Sequence, residues 1–237
     1  MTEKLLSDVR HNFELINENI AKAAERSGRK REDITFLAAT KTVDVSVINY
    51  AISLGLDHIG ENRVQELLSK YDSYDLENCS LQFIGHLQTN KVRQLVGKVD
   101  LIQSVDSLKL ANEIARQSTA RKITTDILVE VNVGNEDAKS GVAPEQVEEL
   151  LFQLCKIEGI SVKGLMSIPP ICENTQKICK YFDKMRNLFL DIKSKNIDNI
   201  SMDILSMGMS SDYQEAILQG ATMVRIGSLL FGERIYK

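Results

Sequence analysis

At 237 residues, 43% of them hydrophobic, the chain can bury one large core, and barrels of this size are commonly single domains. Its 33 acidic against 29 basic residues give a formal charge of −4, so no cationic excess points to nucleic acid or an anionic membrane surface. A small molecule or a protein is the expected partner.

The opening segment MTEKLLSDVRHNFELINENIAKAAERSG (1–28) sets apolar residues at helical spacing among charges, without the apolar run and small-residue cleavage site of an export signal. It is predicted to be a helix. No stretch approaches the roughly 18 to 20 apolar residues of a membrane span, which predicts a cytoplasmic protein. Cys79, Cys155, Cys172 and Cys179 include no CxxC pair and are expected to be reduced thiols. His11, His58 and His86 do not stand at metal-ligand spacing, so no metal is assigned.

Beyond residue 28 short apolar runs alternate with longer amphipathic segments. The runs are ITFLAAT (34–40), DHIG (57–60), LQFIG (81–85), DLIQSV (100–105), DILVEVNV (126–133), SVKGLMSI (161–168), SMDILSM (201–207) and TMVRIG (222–227). Helical patterns follow nearly all of them: VSVINYAISLG, NRVQELLSKY, TNKVRQLVG, SLKLANEIARQ, PEQVEELLFQLC, NTQKICKYFDKMRNLFLDIK and SDYQEAILQG. The charged ones, NRVQELLSKY among them, read as solvated outer faces. The last run leads into only a short tail, FGERIYK. About eight such units close a (β/α)8 TIM barrel, which leaves no sheet edge exposed. An open doubly wound sheet is the competing architecture. No linker composition marks a second domain, so residues 1–237 are one α/β barrel domain with 1–28 as an additional N-terminal helix.

In such barrels the active face lies at the carboxyl ends of the strands. Lys41 finishes the first run, Glu61 and Asn62 follow the second, and His86 follows the third; Asn132 and Met166 lie near the ends of the fifth and sixth. SMGMSSD (206–212), which contains Met207, follows the seventh, and Arg225 lies in the eighth. The loops after strands seven and eight often bind phosphate. Here Gly208 permits a tight turn, Ser210 and Ser211 supply hydroxyls, and Gly227 and Ser228 offer bare N–H groups. Read alone, Ser210, Ser211 and Asp212 are equally a helix cap. Closure sets the eighth strand beside the first and so brings Arg225 near Lys41. A cationic neighbour and partial desolvation lower a lysine's pKa and free its amine to form a Schiff base. A reactive lysine beside a phosphate pocket suits pyridoxal 5′-phosphate, with Arg225 facing the pyridine nitrogen. As a plain charge, Lys41 would instead contact some other phosphorylated metabolite.

The segments ATK (39–41), HIGENRVQE (58–66), FIGHLQTNK (83–91), EVNVGNEDAKSG (130–141), VKGLMSIPP (162–170), LSMGMSSDYQEAI (205–217) and VRIGSLLFGER (224–234) resemble the pyridoxal-phosphate homeostasis protein family in order over nearly the whole chain. That resemblance implies a single barrel similar to the N-terminal domain of alanine racemase, with pyridoxal phosphate held on Lys41 as a Schiff base. It implies that Ser210 and the backbone of Gly227 and Ser228 hold the phosphate, that Arg225 faces the ring nitrogen, and that Asn62 lies near the cofactor; Met207 is counted with this set. The implied role is vitamin B6 homeostasis without strong turnover, with transient PLP-dependent apoenzymes as candidate partners. A racemase-like enzyme is the alternative. Racemisation needs a second base, which in racemases comes from an additional C-terminal domain, whereas this sequence ends just after the eighth run. Tyr213 follows a strand end but reads as a helix-surface residue, so no catalytic residue is assigned. A monomer is expected, because no long exposed apolar stripe is apparent.

Overall fold

The structure, a computed structural model, describes residues 2–136, 140–170, 172 and 174–232. Eight parallel strands close on themselves in sequence order: β1 (Thr35–Ala39), β2 (His58–Glu61), β3 (Ser80–Phe83), β4 (Leu101–Val105), β5 (Thr125–Val131), β6 (Ile160–Ser167), β7 (Ile200–Ser206) and β8 (Met223–Ile226), with β8 pairing back to β1. The sheet is therefore a closed (β/α)8 barrel, and the open-sheet alternative is excluded.

Most strand residues are buried on both faces, which is why parallel strands read as almost continuous apolar runs. Leu37, Ile84, Leu101, Leu128, Met166 and Met223 form a separate cluster inside the barrel. A much larger cluster lies between the sheet and the helices. The helices are α1 (Glu3–Arg26), α2 (Val45–Ser53), α3 (Val64–Lys70), α4 (Val92–Leu95), α5 (Leu108–Ala120), α6 (Val147–Leu154), α7 (Thr175–Ser194), α8 (Tyr213–Leu218) and α9 (Ser228–Phe231).

Helix α1 is the additional element outside the repeat. Its N-terminus is capped by the Thr2 hydroxyl, which accepts from Leu5 N–H, and it buries Val9, Ile16, Ile20, Ala23 and Ala24 on one face. It packs on α8 and α9. Asn12 donates to the Leu230 carbonyl at 3.2 Å, and Arg29 donates to the carbonyls of Ala221, at 2.7 Å, and Ile217. The helix thereby braces the seam where the last unit meets the first.

Each predicted strand lies within one or two residues of an observed one. Two helical expectations change. The TNKVRQLVG segment shortens to one turn, α4, after a 3-10 turn over Thr89–Lys91, and Gly97 at a φ of +83° ends the path. A helical turn, α9, follows β8, where only a tail was expected; residues 233–237 of FGERIYK lie outside the described residues. Among the described residues the four cysteines are unpaired, no group of histidine, cysteine and acidic side chains is suited to a metal, and no helix is long and apolar enough to cross a membrane.

The register between β6 and β7 shifts between Val162 and Gly164. Gly164 has a φ of +152°, and a Cβ there would lie 1.9 Å from the Ile204 carbonyl oxygen. Only a residue without a side chain lets the two backbones approach so closely. Gly164→Ala is expected to lose about 3 kcal/mol or more of stability in urea denaturation. A midpoint equal to that of wild type would show that β6 and β7 can spread apart at this point.

Candidate functional site

Along β1 the interior side chains are Leu37 and Ala39, and alternation carries the same face on to Lys41. On the facing strand Leu37 pairs with Arg225, and Gly227 follows two residues later. A Cβ on Gly227 would stand 3.0 Å from the Ala39 carbonyl oxygen, so glycine lets the end of β8 lie flat against the end of β1. Lys41, Gly227 and Ser228 line one cavity of about 240 Å³, together with Leu5 from α1, Val47 from α2 and Phe231 from α9. The extra N-terminal helix thus supplies part of the site wall.

Ser210 bonds across to the β8–α9 loop. The N-cap of α8 is Asp212, whose side chain makes no capping bond but accepts from Met209 N–H at 2.6 Å. The Ser210 hydroxyl turns the other way and accepts from the N–H groups of Gly227, at 3.2 Å, and Leu229, at 3.4 Å. The β7–α8 and β8–α9 loops are therefore joined into one cradle through a hydroxyl and two backbone N–H groups, and Gly227 lines the same cavity as Lys41. Gly208, at a φ of +92°, makes room for it: a Cβ there would fall 2.5 Å from that of Ala216.

Arg225 lies below this cradle and is 4% exposed. Its Nη1 donates to Ser206 Oγ at 2.6 Å and its Nη2 to the Ser167 carbonyl at 2.8 Å. Ser206 donates onward to Gln103 Oε1 at 2.7 Å, and Gln103 Nε2 donates to Gln82 Oε1 at 2.6 Å. This chain of polar groups crosses the barrel interior from β8 to β3. Burial pulls the arginine down to about 10, against the pull of Glu130 and Asp212, so the guanidinium remains charged at neutral pH.

The other candidates separate. Gly60 faces the interior, where a Cβ would meet Leu37 and Ile84, so alternation turns Glu61 outward and Asn62 back in. Asn62 Oδ1 is buried without a partner. Glu61, expected at the strand end, is fully buried on the outer side, where it accepts from Thr40, Lys70 and Tyr74. Met207 belongs to the outer apolar cluster and is fully buried there. Its side chain is thus not brought to the cradle, because residue 207 falls on the opposite face from Ser206. His86 stands exposed at the rim, with Nδ1 3.3 Å from Ser140 Oγ. Asn132 exchanges two hydrogen bonds with the Glu136 backbone and so shapes its own loop, and Met166 is part of the apolar interior. The Gln82–Gln103–Ser206 chain was not anticipated from the sequence; glutamines in the middle of apolar runs were its only signal.

A phosphorylated aldehyde fits this arrangement: an amine at the strand end, a cradle of hydroxyl and N–H donors, a fixed cation beneath, and an unsatisfied Asn62 oxygen at the rim.

Residues 11–235 match the family described as alanine racemase, N-terminal domain, which defines the class of barrel. The chain is 47% identical over 219 residues to the pyridoxal phosphate homeostasis protein of Aquifex aeolicus, covering 92% of this chain and 95% of that protein. It is 33% identical over 234 residues to the protein of the same name from Escherichia coli K12, covering 98% and 99%. The chain belongs to the pyridoxal phosphate homeostasis protein family. Among solved structures it is similar to PipY of Synechococcus elongatus with PLP bound, at 30% identity and a TM-score of 0.80, covering 90% of this chain and all (100%) of that one. An alanine racemase from Clostridium difficile shares the fold alone, at 19% identity and a TM-score of 0.73, and this chain spans 57% of its length.

Glu130, near Arg225, is 7% exposed, and burial pushes its carboxyl up to about 7, with Asp106 adding to the rise and Arg225 opposing it. A folded pKa above the unfolded one means that ionisation opposes folding. The cost is absent below the unfolded value of about 4.3, grows as the pH rises toward 7, and then levels off. Glu130→Gln is therefore expected to gain stability over wild type as the pH rises through that window, by on the order of 3 kcal/mol, read from urea midpoints at several pH values. A difference that does not change with pH would mean that Glu130 is ionised throughout, with Arg225 as its counterion.

Proposed function

We propose that this barrel binds pyridoxal 5′-phosphate, holds it on Lys41, and serves the balance of vitamin B6 in the cell without fast turnover. The observation that carries this reading is the shared cavity: Lys41 at the end of β1 faces Gly227 and Ser228, whose loop is tied to Ser210. The names and the PLP-bound structure of the relatives support the same choice of ligand. When bound, the group would supply an aldehyde able to condense with an amine and a ring able to draw electrons from that bond. Lys41 would be the amine. Ser210 and the backbone N–H groups of Gly227 and Ser228 would hold the phosphate, Asn62 would meet the cofactor at the rim, and Met207 would stand behind the cradle as its apolar support.

Two features of the chain support low turnover. Arg225 keeps its proton at neutral pH, so it can donate a hydrogen bond to a ring nitrogen but not transfer a proton to it. A ring whose nitrogen stays unprotonated is a weak electron sink. The second feature is Tyr213, the tyrosine nearest in sequence to a strand end. It is 3% exposed and packed in the outer cluster, where it is not presented to the cavity lined by Lys41 as a second base.

Borohydride reduction of the full chain with added pyridoxal phosphate is expected to leave one pyridoxyl adduct, mapped by mass spectrometry to Lys41 and absent in Lys41→Ala. Assays of amino-acid racemisation and transamination on the same preparation are expected to show little or no turnover. An adduct with brisk racemisation would establish the racemase reading, and no adduct at Lys41 would return the lysine to a plain charge for another phosphorylated metabolite.

A further inference from the structure

We propose that Glu66 and Lys70, on α3 outside the barrel, are positioning residues that set the direction of Lys41 by fixing the peptide that follows it. The inference rests on the reading of Lys41 as the amine that takes the aldehyde, and extends it to a helix outside the barrel wall.

β1 ends at Ala39, and the chain then turns tightly, with Val43 N–H donating to the Thr40 carbonyl at 3.1 Å. Lys41 is the second residue of this turn and Thr42 the third, at a φ of +63°. That third position with positive φ suits glycine or asparagine, and a β-branched residue there is strained. Flipping the Lys41–Thr42 peptide would relieve the strain by changing ψ at Lys41 and φ at Thr42, and would loosen the backbone from which the Lys41 side chain projects.

Both ends of that peptide are held. Thr42 N–H donates to Glu66 Oε1, and the Thr42 hydroxyl donates to the Lys41 carbonyl at 2.6 Å. The residue before Lys41 is fastened as well: Thr40 N–H donates to the Gly60 carbonyl at 2.9 Å, its hydroxyl to Glu61 Oε1 at 2.9 Å, and its own carbonyl accepts from Lys70 Nζ at 3.2 Å. Lys70 joins the two acceptors, donating to Glu61 at 2.8 Å and Glu66 at 2.7 Å. The Lys70 side chain is 13% exposed, those of Glu66 18% and Glu61 0%, so solvent screens this network little. A pair spaced as an ordinary surface i, i+4 bridge is in fact turned inward and holds the backbone on both sides of the lysine.

A network that merely docked α3 would affect stability alone. A positioning network affects the rate at which Lys41 captures an aldehyde. The test is the limiting rate of borohydride-trapped pyridoxal phosphate on Lys41 in the full chain, with competition by inorganic phosphate measured in parallel. Glu66→Ala is expected to label about tenfold more slowly, in keeping with release of a strained turn, while the competition constant for phosphate is unchanged. Glu66→Gln, which keeps an acceptor, should recover most of the rate. Thr42→Gly combined with Glu66→Ala should also recover it, because glycine takes the turn conformation without strain.

A wild-type rate in Glu66→Ala, or a slow rate that Thr42→Gly does not restore, overturns the inference. Should Glu66→Ala not fold, Thr42→Ala at its exposed position removes the other hold on the same peptide. Its labelling should slow severalfold, and a wild-type rate in it also overturns the proposal. If wild type itself takes no label on Lys41, the cofactor reading falls and this inference with it; a labelled wild type beside an unaffected Glu66→Ala sinks this inference alone.

Discussion

Closure of the barrel pairs β1 with β8 in a register that sets Leu37 opposite Arg225 and Ala38 opposite Ile226. Side chains alternate with a period of two, so this register decides which residues share the interior. It sends Leu37, Ala39 and Lys41 inward from one strand, and Met223, Arg225 and Gly227 inward from the other. A slip of one residue would turn Arg225 into the apolar outer layer and put Val224 or Ile226 beneath the lysine. The arginine could not be buried there, because the outer cluster offers apolar side chains where Ser206 and the Ser167 carbonyl now stand. Register and site chemistry are thus one constraint, and the N-terminal segment that leads into β1 is fastened to the last unit through Asn12 of α1 and Arg29 just after it.

A charged group in a barrel interior costs several kcal/mol in lost hydration unless its hydrogens are matched. Arg225 meets that demand with two short bonds and with the field of Glu130 and Asp212. The interior is layered accordingly. Leu101, Leu128 and Met223 supply apolar packing, and the Gln82–Gln103–Ser206 chain supplies polar contacts under the arginine. Because each member of that chain is also held by the next, the guanidinium is fixed in place before any ligand arrives. In the proposed function this pre-set cation governs the outcome, since it favours holding the ring over drawing electrons through it.

Much of this was legible in the sequence, and the reason is physical. Strands buried on both faces leave unbroken apolar runs, so all eight could be read, and a charge that ends such a run, Lys41, stands out. Ser210 was legible as a loop hydroxyl, but its direction was not. A serine just before a helix ordinarily caps it, and only the approach of β8 offers it the N–H groups of Gly227 and Leu229 instead. Which face Met207 takes was not legible for a related reason: a strand end uncertain by one residue reverses the face of everything near it, and its side chain lies in the outer apolar cluster. Glu66 and Lys70 read as a solvated pair because i, i+4 spacing is the same on either side of a helix, and nothing local reveals which side meets the barrel.

The division between the two sides of the sheet carries a consequence for how such a site can be tuned. Inside the barrel, the residues of the proposed cofactor cradle and those that support Arg225 also pack against one another, so a change there alters binding and packing together. Outside, the Thr40–Glu61–Lys70–Tyr74 cluster reaches the same lysine through its backbone. Its members are bonded to one another: Tyr74 donates to Glu61 at 2.8 Å, and burial together with that carboxylate pushes its phenol pKa upward, which keeps the hydroxyl protonated as a donor. In the proposed reading, the orientation of the amine and the grip on the phosphate would therefore be set by separate sets of residues, one outside the sheet and one at the ends of β7 and β8. In a protein proposed to hold a reactive aldehyde and later give it up, that separation lets the ease of capture at Lys41 vary while the cradle formed by Ser210, Gly227 and Ser228 stays as it is.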